Sequence, residues 1–108
     1  MDFSVTHAFI DRVNAEQDRL IAQKLRRGDK PLKIAQENLK RWMRKDGRKP
    51  RPVFIEWHNI LERLTRREIA DFLVSETPMA RRLRQSSPFP GVLSAGELER
   101  IRRRHAKG

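Results

Sequence analysis

The sequence predicts a small all-α bundle of about five or six helices. Two observations carry that reading. Apolar residues recur at spacings of three and four along most of the chain, and no stretch alternates polar and apolar residues long enough to make a strand. A third observation divides the pattern into elements: Ser, Thr or Asp followed by Pro or Glu marks one helix start after another. The 108 residues are enough for one domain, read here as residues 1–99 with a hinge at 46–52 and a basic flexible tail at 100–108.

The first helix is expected from Val5 to Arg27, with Phe9, Ile10, Val13, Gln17, Leu20, Ile21 and Leu25 on one side, and Gly28 stops it. Asp29 is placed to cap a second helix and Pro31 suits its first turn, while Leu32, Ala35, Leu39 and Trp42 form its apolar stripe. The segment from Asp46 to Pro52 holds Gly47 and two prolines, which predicts an extended, exposed connection. Phe54, Trp57, Ile60, Leu61 and Leu64 give a third helix. Thr65 and Glu68 have capping-box spacing for a fourth, with Ile69, Phe72 and Leu73 facing the core. Thr77 caps and Pro78 opens a fifth, through Met79, Ala80 and Leu83. The stretch Ser86 to Gly91 breaks it, and the apolar Phe89, Val92 and Leu93 predict that this loop folds back onto the core. Ser94 and Glu97 form a second capping box for the last helix, whose end has only Ile101 to bury and is expected to fray.

Composition narrows the function. The chain has no cysteine, so disulfides, thiolate zinc sites and cysteine nucleophiles are excluded. No long apolar run and no leader-like start are present, which predicts a soluble, cytoplasmic protein that does not enter membranes. Five glycines lie too far apart for a phosphate-cradling loop, and the three histidines lack metal-ligand spacing. No cofactor and no metal are expected. Glu56 and His58 offer the nearest approach to an acid/base pair, but positions two apart on a helix point to different sides, so a non-enzymatic protein is predicted.

Charge is the informative feature. The net charge is +11. Residues 23–52 hold twelve Lys or Arg against three acids, and residues 81–108 hold eight against two, whereas residues 1–22 and 53–80 are mildly acidic. Clustered positive charge attracts polyanions. Lys33, Lys40 and Arg44 fall on one face of the second helix, beside Arg41, and Lys45, Arg48, Lys49 and Arg51 continue into the connection. This is a phosphate-binding stripe by charge and spacing, diluted by Glu37, which is placed to pair with Lys33 or Arg41.

The tract Glu68 to Arg84 resembles a helix-turn-helix of the bacterial sigma-factor-like kind. Ala70 would allow close approach, Val74, Met79 and Leu83 would lock the helices, and Thr77, Arg81 and Arg84 would reach bases in the major groove. The tract lacks the usual turn glycine and is one residue short between Ala70 and Val74. The stretch from Ala80 to Ser94, with Leu83-Arg84-Gln85-Ser86-Ser87-Pro88-Phe89-Pro90-Gly91-Val92-Leu93-Ser94 at its centre, looks like a C-terminal pattern in small uncharacterised bacterial proteins. That resemblance implies an antitoxin-like component beside a nucleotidyltransferase-like toxin.

Together these readings give a small basic regulatory protein that binds nucleic acid, DNA ahead of RNA. An acidic protein such as a toxin is a further expected partner, and the long first helix could pair two copies as a homodimer. Two alternatives stand beside it. One is an interaction module that docks an acidic partner without nucleic acid; the other is an RNA-processing or ribosome-associated factor.

Overall fold

Six helices account for most of the chain: α1 Phe3–Arg27, α2 Lys30–Lys45, α3 Pro52–Arg63, α4 Arg66–Leu73, α5 Pro78–Arg84 and α6 Ala95–Ala106. The computed structural model describes the backbone of residues 3–106 and the side chains of residues 7–106, and no strand occurs among them. Met1, Asp2, Lys107 and Gly108 lie outside the described residues, and with them the two ends of the sequence reading.

Helix α1 is the spine. Its 25 residues run about 37 Å at 1.5 Å per residue, close to the longest dimension of the molecule, 43 Å. One side of it carries Val13, Ile21, Ala22 and Leu25, all buried, and packs on α4, on α6 and on the start of α2. The apolar side that could have paired two copies is thus largely covered within the chain; Ile10 remains 45% exposed.

Trp57 on α3 occupies the centre of the core and is fully buried. It meets Phe72 and Phe89 edge to face, at centroid distances of 5.6 and 6.0 Å, the arrangement that the ring quadrupoles favour. Its indole N–H donates to the Leu83 carbonyl at 2.9 Å. A buried donor left unpaired would cost about 1–3 kcal/mol, so this bond and the ring contacts together locate α5 over α3.

Local capping accounts for the starts of α4, α5 and α6. Thr65 and Glu68 form the reciprocal box, with Thr65 Oγ1 accepting from Glu68 N at 3.1 Å and Glu68 Oε1 accepting from Thr65 N at 2.9 Å. Ser94 and Glu97 repeat it at 3.1 and 2.8 Å. Thr77 accepts from Ala80 N, and Pro78 opens α5.

Four local expectations differ from what forms. Asp29 makes no cap; its carboxylate instead pairs with Arg66 Nε at 3.1 Å, while Arg66 Nη1 donates to the Leu25 carbonyl at the end of α1. Tertiary pairing outweighs the local cap there. The 46–52 connection is a closed turn, not an extended one. Gly47 takes φ +70, and Asp46 accepts from Arg51 N at 3.0 Å. Val74 and Met79 do not lock α4 to α5, being 38% and 48% exposed; Ala80 and Leu83 are the residues of α5 that are fully buried, and Arg84 ties it to the carbonyls of Leu73 and Ser75. Finally, the stretch expected to fray is helical to Ala106, because Glu16 of α1 accepts from Arg104 at 2.8 Å and lies 3.0 Å from His105 Nε2.

Candidate nucleic-acid interface

The expected stripe sits on the outer face of α2. Pro31, Ala35, Asn38 and Leu39 point inward, so Lys33, Lys40 and Arg44, at the opposite phase of the helix, face solvent. Lys45, Arg48 and Lys49 are exposed as well. None of these six makes an ion pair or side-chain hydrogen bond among the described residues. Lys30, three residues before Lys33 on the first turn, is exposed and unpaired in the same way and extends the face; its distance from the main charge run hid it in the sequence. Glu37 is exposed on this face but pairs with neither Lys33 nor Arg41. From Lys33 to Arg44 the face spans about 17 Å of helix axis.

The other two members of the stripe have partners. Arg41 donates to Asn38 Oδ1. Arg51 pairs with Asp46 at 3.5 Å and lies over the Phe54 ring, 5.4 Å from its centroid. Phe54 in turn meets Trp42, with centroids 5.4 Å apart and planes tilted by 37°.

Asn38 fixes the helix that carries the stripe. It is the one buried polar residue among the described residues, at 5% exposure. Its Nδ2 donates to the carbonyls of Pro88 and Pro90, both at 2.9 Å. That pair of bonds pins the segment after α5 against α2 and lets Phe89, 2% exposed, reach Trp57. The loop folds back as its apolar residues require.

The second group of candidate residues is differently placed. Thr77 serves as the N-cap of α5. Arg81 is exposed, but both its Nε and Nη2 donate to Glu76 Oε2, at 3.0 and 2.7 Å. Arg84 is turned inward: Nη1 donates to the carbonyls of Leu73 and Ser75, and Nε lies 3.8 Å from Asp18. Its guanidinium closes the C-terminal end of α4 and is not presented to a groove. The second helix of the tract, α5, has seven residues.

Asp18 itself is pushed up to about 6, because burial disfavours its charged form more than Arg84 and Arg19 favour it. It lines a concavity of about 980 Å³ between α1, the turn after α4 and the segment after α5. Arg81 and Arg84, on that wall, are matched by Glu76 and Asp18. Glu97, at the start of α6, is held down at about 2 by hydrogen bonds from Lys24 and from Ser94 N.

The Glu56–His58 pair does not come together, and no metal-holding group forms among the described residues. Glu56 lies 2.9 Å from Arg82 Nη2, and His58 points to solvent without meeting it. No group of three His, Asp or Glu could hold a metal ion, and no helix is long and apolar enough to cross a membrane. Compared with known proteins, the chain matches no family model, no curated protein and no solved structure.

Proposed function

We propose that the protein binds nucleic acid by its phosphate backbone, through the outer face of α2 and the turn that follows. The observation that carries this reading is the set of six neighbouring cations, Lys33, Lys40, Arg44, Lys45, Arg48 and Lys49, exposed and without partners among the described residues. Helices that merely need solubility usually intersperse acids at pairing distance. Here the only acid on the face, Glu37, neutralises none of the cations by contact. Such a surface repels itself until a polyanion covers it. Binding through phosphates fixes position without choosing sequence, and Arg84 is not available to add base readout. Duplex DNA is the first partner to test. The tract that resembles the C-terminal pattern of antitoxin-like proteins is here part of the core, with Pro88 and Phe89 buried, so an antitoxin-like role would act through the fold it builds.

An electrophoretic shift of duplex DNA at several salt concentrations tests the proposal. If all six cations meet phosphates, the logarithm of affinity falls against the logarithm of salt with a slope of about −5. Absence of any shift at low salt, with an acidic protein bound instead, would replace it with the interaction-module reading.

A further inference from the structure

One end of the basic face opens on a recess whose chemistry exceeds what phosphate contact needs. Trp42, Lys45, Asp46, Arg51, Phe54 and Ser86 enclose about 400 Å³ between the last turn of α2, the first turn of α3 and the segment after α5. Trp42 and Phe54 form its apolar side, with their centroids 5.4 Å apart. The two tryptophans of the chain are in opposite states. Trp57 is sealed and its N–H is bonded to Leu83. Trp42 is half-buried, and its N–H makes no hydrogen bond among the described residues. Buried indoles ordinarily pair that donor; Trp42 leaves it unpaired and lines the recess together with Lys45 and Arg51.

An aromatic side chain beside cations and short polar groups suits one kind of ligand. A nucleobase stacks its face on a ring, its own phosphates meet the lysine and arginine, and its polar edge finds hydroxyl and carboxylate groups such as those of Ser86, Ser87 and Asp46. We infer that this recess takes one unpaired nucleobase of a strand whose backbone lies along α2, with Trp42 as the stacking surface. This rests on the phosphate-binding reading and adds a preference to it: bases inside a duplex are stacked on one another and are not free to enter.

Titration with a short single-stranded DNA, the same sequence as RNA, and the corresponding DNA duplex tests the inference through tryptophan fluorescence at low salt. Because Trp57 is enclosed, quenching reports Trp42. Both single strands should quench saturably and the duplex should not. Equal DNA and RNA responses assign recognition to base and phosphate, and a stronger RNA response adds the 2′-hydroxyl to it. Trp42→Leu keeps an apolar side chain against Phe54 but removes the aromatic face; it should weaken single-strand binding by about 5- to 150-fold and leave duplex binding unchanged. Duplex binding without quenching by either single strand, or an equal loss for duplex and single strand in Trp42→Leu, overturns this inference alone. No binding of any of the three overturns the phosphate reading and this one with it. If Trp42→Leu does not fold, saturable quenching of the unaltered protein by single strands supports the site, and its absence overturns it.

Discussion

Two stretches of this chain are rich in arginine and lysine, and they do different things with their charge. In residues 81–104 five of the seven cations are turned to internal use: Arg81 meets Glu76, Arg82 meets Glu56, Arg84 meets Asp18, Arg103 meets Glu99 and Arg104 meets Glu16, while Arg100 and Arg102 are exposed and make no ion pair among the described residues. Three of those five acids come from other helices. In residues 30–49 the charge is as dense, yet Lys33, Lys40, Arg44, Lys45, Arg48 and Lys49 have no partner among the described residues. A count of charge along the sequence therefore overstates one block and not the other. What separates them is the company each keeps after packing: acids from α1 and α3 are brought to α5 and α6, and none reaches the outer face of α2.

The comparison is open to direct attack. Replacing Lys33, Lys40 and Arg44 together by Ala should lower duplex affinity by about two to three orders of magnitude near 0.1 M salt and flatten the salt slope by about 2.7, as gel shifts would read. Thermal stability should move little, since these side chains are exposed and make no ion pair or hydrogen bond among the described residues. If the triple variant binds as before, the contrast between the blocks has no functional content.

Asn38→Ala strikes the opposite side of the same helix. It strands the buried Pro88 carbonyl and removes the bond to Pro90, whose carbonyl is partly open to water, and should cost about 1–3 kcal/mol in denaturant unfolding while leaving the outer cations in place. A smaller effect is expected from Asp18. Its folded value, about 6, lies above the ordinary 3.8, so its contribution to stability is full below 3.8 and is lost as pH rises through about 6. Unfolding followed from pH 4 to pH 7 should show a loss on the order of 2 kcal/mol, and Asp18→Asn should remove that slope. Glu97 works in the other direction and in a different window: with a folded value of about 2 against 4.5, it stabilises above 4.5 and loses that effect as pH falls towards 2. Least of all should follow from Arg81→Ala, an exposed pair with Glu76 whose removal changes stability by under about 1 kcal/mol and duplex affinity hardly at all. A large affinity loss there would return the α5 arginines to the binding surface.

Much of the fold was legible because the signals are local. Gly28, the proline after it, both capping boxes and the Thr77-Pro78 start each act within one helical turn, and each lies where a helix begins or ends. The reading failed where a distant partner outweighed a neighbour. Asp29 prefers Arg66, Glu16 holds the last helix that its own composition would let fray, and Arg84 answers to Asp18 and to the carbonyls of residues 73 and 75. For the candidate site, spacing alone put Lys33, Lys40 and Arg44 on one face. Nothing local could show that Trp42 and Phe54, twelve residues apart, would close a recess with Ser86 at its rim.

The Asn38 side chain joins these two worlds. Its amide nitrogen is committed to the carbonyls of Pro88 and Pro90, and its oxygen accepts from Arg41 at the margin of the basic face. A phosphate that draws the Arg41 guanidinium outward would therefore disturb an amide whose protons are shielded from water. In an NMR spectrum that single NH₂ group becomes a gauge: its shift would register occupancy of the outer surface from a position no ligand touches.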